Sequence, residues 1–133
     1  MDVDLSRWRS DRLFRLLILL VGVHSCVLGV GMLVSPRLML RLLGFPGAVP
    51  LFFPSQSGIF MLILGILYLG ALVEPAYVWT IIVSKALAVV FLLVHVALLS
   101  APPIIWAAGA GDAAMLIASS LMLARHKRLA RAR

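Results

Sequence analysis

Four ionisable side chains stand inside long apolar stretches of this sequence: His24, Lys85, His95 and Asp112. An aspartate beside a histidine can relay protons, because imidazole changes charge near neutral pH and a carboxylate accepts what it releases. A lysine ammonium, with three donors and no acceptor, suits an anion instead. Asp112 and Lys85 are the only opposite charges in these stretches, so an ion pair between them is the first expectation. Depth works against it. Lys85 falls roughly 6 Å to one side of its stretch's midpoint and Asp112 about 3 Å to the other side of its own. Side chains also lean toward their own helix N-terminus, which points this pair apart. The lysine stem either closes the gap or carries its charge to the membrane surface. His24 and His95 are equally in reach of Asp112, which leaves its partner open. Three roles follow: a polar clamp of about 0.6 kcal/mol, proton transfer through His24, Asp112 and His95, or an anion site at Lys85.

Other chemistries lack their residues. His24, His95 and Asp112 form a His-His-carboxylate set by type, but no local spacing such as His-x-x-x-His supports a metal. Haem between His24 and His95 fails on depth. No phosphate-cradling glycine loop, Ser-His-Asp set or zinc signature occurs, so no catalytic residue and no cofactor is specified. One cysteine, Cys26, excludes an internal disulfide and a multi-cysteine metal site. His126, in the basic C-terminal stretch, reads as a solvated flanking residue.

The apolar stretches are long enough to be the main elements. Of 133 residues 63% are hydrophobic and 13% charged, against about 25% charged in soluble domains. A spanning helix needs about 20 apolar residues, and the sequence offers four such spans, at about 13–34, 55–73, 77–99 and 104–124. No alternation of period two suggests barrel strands. Between the first two spans, Ser35 and Pro36 open a short helix over about 36–43 that Gly44 and Pro46 end. Its Arg37 and Arg41 share one face, as in a helix lying in the interface. Val49 to Pro54 reads as a buried return into the second span. The remaining loops, Glu74 to Ala76 and Ser100 to Pro103, are tight, so consecutive spans should be antiparallel neighbours. The expected fold is all-α, one domain over 1–133, an antiparallel four-transmembrane-helix bundle with that interfacial helix.

The net charge of +7 resides at the ends. Of twelve Lys/Arg, all but Arg37, Arg41 and Lys85 flank the first and last spans, leaving nine on one side against two on the other. That asymmetry puts both termini in the cytoplasm. The C-terminal cluster (Arg125, Lys127, Arg128, Arg131, Arg133) has no interleaved aromatics and no polar domain beneath it, which argues against nucleic acid. Trp8 and Trp79 fall near the cytoplasmic interface and Trp106 near the outer one. Val23 to Cys26 faintly resembles a lipoprotein cleavage site, but His24 fits it badly. The apolar run also continues to Val34, about 22 residues, longer than a signal core.

Small residues mark where helices can approach: Ser25 with Gly29, Gly58 with Gly65, Ser84 with Ala88. The run Ala107-Ala108-Gly109-Ala110-Gly111 leaves almost no side chain over half of the last span. It implies either close packing or a slot for a ligand or partner helix.

Ser35-Pro36-Arg37, then Leu42-Leu43-Gly44-Phe45-Pro46, then Gly58 and Leu64-Gly65-Ile66-Leu67-Tyr68 resemble the small four-helix bacterial membrane proteins grouped as DoxX-like, over about residues 13 to 125. Ser84-Lys85 and Gly111-Asp112 look like polar positions such proteins carry. The resemblance implies a bacterial inner membrane and, for some members, company with oxidoreductases or thiol and quinone systems. With one cysteine, thiol exchange would need a partner's sulfur. Three functions are therefore expected in competition. One is a non-catalytic accessory or scaffold subunit of a larger membrane assembly, with lipid and other subunits or itself as partners. Another is a carrier or proton-conducting module using Lys85, Asp112, His24 and His95. The third is a redox partner holding a quinone beside the last span.

Overall fold

The computed structural model describes residue 8, residues 10–45, residue 47 and residues 50–131, the side chains of 130 and 131 excepted. Arg7, Arg9, Pro46, Val49 and Arg133 lie outside the described residues. Among those described the chain is all-helical, without strands.

Helix α1, Arg12–Val34, starts where the Asp11 carboxylate accepts the Phe14 N–H at 3.1 Å, an N-cap that satisfies one of the first-turn donors. It yields at Ser35 to α2, Pro36–Leu42, with Pro36 at the first helical position. Gly44 ends that segment at φ +81°, and a Cβ there would lie 2.7 Å from the Pro102 ring. Conformation and space both call for glycine at that turn. Helix α3 spans Phe52–Gly70. Glu74 then caps a 3-10 turn, Pro75–Tyr77, which runs into α4, Val78–Leu98. The α4 end turns at Ser100, φ 53°, with the Leu99 and Ala101 N–H groups both on the His95 carbonyl. Helix α5 covers Ile104–Arg131.

Two expectations are corrected. The last helix does not stop at Arg125 but continues to Arg131: the Ala, Leu, Arg and Lys residues there are strong helix formers, so charge ends the span without ending the helix. The segment before the second span is not a buried return. Phe52 and Phe53 are already helical, and each is 70% exposed.

Among the described residues four helices are long and apolar enough to cross a membrane: Arg12–Val34, Phe52–Gly70, Pro75–Leu98 with its 3-10 turn, and Ile104–Leu129. Large apolar side chains remain exposed along each, such as Leu20, Ile66, Leu87 and Ile117. Water would not tolerate such a surface and lipid does.

Helix α1 packs chiefly on α3, and α4 chiefly on α5, while the two pairs meet more sparsely through α1 with α5 and α3 with α4. Glycines set the first pair. A Cβ on Gly29 would sit 2.7 Å from the Leu62 nitrogen, and one on Gly65 2.8 Å from the Cys26 nitrogen. Gly22 faces Leu69 and Gly65, while Gly58 faces Gly29 and Met32; the paired numbers run in opposite directions. The apolar core gathers around the start of α1 and the end of α3: Trp8, Phe14, Ile18, Tyr68, Ala71, Val78 and Leu123. Trp8 locks this region by donating its indole N–H to the Ala71 carbonyl at 2.8 Å.

Candidate functional site

Lys85 and Asp112 form an ion pair, Nζ to Oδ1 2.5 Å. Lys85 is 7% exposed, so its ammonium has not gone to the surface. The close packing of α4 on α5 places the two backbones within the reach of the lysine stem, which overrides the opposed lean of their Cα–Cβ bonds. Beneath the ammonium lies the ring of Tyr68, centroid 5.9 Å from Nζ, near the outer range of a cation–π contact.

Tyr68 joins a second polar tie. Its hydroxyl is 2.5 Å from the Ser84 hydroxyl, and Ser84 also lies 2.5 Å from the Thr80 carbonyl. A carbonyl can only accept, so the serine proton points to Thr80 and the tyrosine donates to Ser84. This bond joins α3 to α4 at the residue just before Lys85. Sequence reasoning does not single out Tyr68 as a polar anchor. The available signal is a tyrosine deep in an apolar run, whose hydroxyl needs a partner once buried.

His24 and His95 separate. His24, exposed on α1, lines the same cavity as Lys85 and Asp112. His95 is not part of that wall: its Nδ1 is 2.8 Å from the Phe91 carbonyl and its ring stacks on Phe91 at 3.9 Å. Arg37 and Arg41 are both on α2, with Leu38 and Leu42 exposed beside them. Among the described residues no group of three or more His, Cys, Asp or Glu could hold a metal ion.

The cavity occupies about 650 Å³ between the two helix pairs. Met39 and Leu43, from α2 and the turn after it, add to its lining. Ala107, Ala108 and Gly111 of α5 form a nearly bare wall, and Lys85 and Asp112 supply its charge. The bare wall decides between close packing and a slot. A methyl group added at Gly29, Gly58 or Gly65 would meet backbone within 3 Å, whereas Gly111 has nothing within 4 Å and Gly109 only the Leu92 Cβ at 3.7 Å. Small residues thus bring α1 and α3 together, and on α5 they leave space.

A second cluster corrects the reading of His126. It is 6% exposed, its ring centred 5.2 Å from that of Trp8 and 5.4 Å from that of Phe14. The Asp11 carboxylate, already the α1 cap, lies 3.3 Å from Nε2, an ion-pair distance without hydrogen-bond alignment. Because α5 continues past Arg125, position 126 extends the buried stripe of Ser119 and Leu123 and rolls beneath the indole.

Fold and site together define an all-helical, multi-pass membrane protein by the length and composition of its helices. No family model, curated protein or solved structure matches the chain.

Proposed function

We propose that this chain is a non-catalytic subunit of the bacterial inner membrane that holds a membrane-resident small molecule in the cleft between its helix pairs. Its spans form an antiparallel bundle with both termini in the cytoplasm, and α2 lies in the outer interface. The nine flanking Lys/Arg against Arg37 and Arg41 support that orientation. The glycine contacts between α1 and α3, whose numbers run in opposite directions, support the antiparallel arrangement. Lys127 over the Trp79 ring at 5.0 Å joins a cation and an aromatic at one end of the bundle, the pairing expected of an interface. The DoxX-like resemblance, carried by Ser35 to Pro46 and Leu64 to Tyr68, accords with this reading.

One observation carries it: an apolar cleft of about 650 Å³ with a buried ion pair on its wall. That volume lies within the range of small-molecule sites, about 300–1,000 Å³, which likewise combine apolar walls with few polar groups. The proton-relay alternative is less favoured, because His95 is not among the residues that line the cleft and its Nδ1 lies against the Phe91 carbonyl of its own helix.

The test fills the space. Gly111→Leu and Ala108→Leu place side chains into the cleft where Gly111 meets nothing within 4 Å, so the fold should persist. Mass spectrometry of organic extracts should find a lipophile retained stoichiometrically by the wild type and lost from both variants. Equal retention in all three proteins would remove the proposal.

A further inference from the structure

We infer that the occupant is a single-chain lipophile whose head is uncharged and both donates and accepts a hydrogen bond; this rests on the cleft reading above. Lys85 and Asp112 compensate one another in the cleft wall. An anionic head would have to draw Lys85 away and leave a carboxylate unpaired among apolar groups, and a cationic head would do the converse to Lys85. Among the described residues no other Lys, Arg, Asp or Glu lines the cleft to compensate the intruder, and His24, the remaining titratable group on its wall, is exposed. A neutral head adds to the pair without breaking it. The ammonium has donors beyond the one on Asp112 Oδ1, and the carboxylate has acceptor capacity beyond that bond. A hydroxyl beside an ester or ketone oxygen meets both needs at once.

The walls describe the rest of the molecule. Four of the chain's six methionines, Met32, Met39, Met61 and Met115, line this one cavity. Unbranched thioethers mould themselves to an irregular or mobile apolar guest. Among the described residues only Phe91 contributes an aromatic carbocycle to the lining, so no pair of such rings there stands ready to sandwich a flat head. Flexible apolar walls, polar at the ion pair and His24, suit a flexible chain with one polar end.

Three photoactivatable probes sharing one eighteen-carbon diazirine chain make the test: a monoacylglycerol, a fatty acid and an alkylamine, each titrated into the purified full chain in detergent, with crosslinks mapped by peptide mass spectrometry. The monoacylglycerol should label the cleft with a half-saturation about tenfold below the other two. Asp112→Asn should shift preference to the fatty acid and Lys85→Met to the amine. Lys85→Met combined with Asp112→Leu leaves no lone charge to destabilise the fold and should label with all three alike. Equal labelling of the wild type by all probes, or preference for a charged one, overturns the head assignment and leaves the cleft standing. Cleft labelling by none of them overturns both.

Discussion

A lysine facing lipid would extend its ammonium to the headgroups, yet Lys85 keeps its charge inside on Asp112. Removing one partner strands the other, so Lys85→Met alone should lower stability by about 3–5 kcal/mol, and adding Asp112→Leu should restore most of it. Thermal unfolding in detergent reads both, and equal losses for single and double variants would count against a paired charge. Ser100, at φ 53°, occupies a conformation that costs an L-residue roughly 1–2 kcal/mol. Ser100→Gly should raise the unfolding temperature, since its turn needs no side-chain bond that the structure contains. Trp8→Phe retains a ring but orphans the Ala71 carbonyl, with an expected loss of about 1–3 kcal/mol. Lys85 and Asp112 were legible because charges in apolar runs are few. Tyr68 and His126 were not, because their roles depend on which neighbours the helices bring: Ser84 for one, Trp8 and Phe14 for the other.

Helix by helix, glycine has two opposite meanings here. Gly29 and Gly65 lie where a Cβ would strike backbone at 2.7 and 2.8 Å, so Gly29→Val or Gly65→Val should force α1 from α3 and abolish the folded monomer on gel filtration. Gly111→Ala meets open space and should be neutral, or stabilising by up to about 1 kcal/mol through helix propensity. Equal destabilisation at all three positions would refute the contrast. Apolar length was enough to place all four long helices in the sequence, to within a few residues at their starts. Three of the ends came equally close, and only the last was missed. Helix α5 outlasts its apolar run because Arg125 to Arg131 remain good helix formers, a property that hydropathy does not weigh. Packing or slot along Ala107 to Gly111 was undecidable, since residue size limits how near a neighbour can come without saying whether one does.

Across the whole molecule, the core and the cleft adjoin: Met115 packs on the core and lines the cleft. Trp8, Phe14, Val78 and Leu123 belong to the core, while Met39, Leu43 and Ile105 line the cleft. The proposed role as a subunit of a larger assembly predicts that the protein emerges from mild extraction in a stoichiometric complex on native mass spectrometry; recovery only as the isolated chain would contradict that role. The sparse contact between the two helix pairs also bears on how the chain is made. Residues up to Ala71 contain both the glycine-packed α1–α3 pair and the Trp8 clasp, so this half can assemble while the ribosome is still translating α4. A gene split within the Val73 to Glu74 turn would therefore encode a first piece that is already a finished hairpin. The second piece would join it later through Tyr68 to Ser84 and Asp11 to His126, as two proteins in place of one.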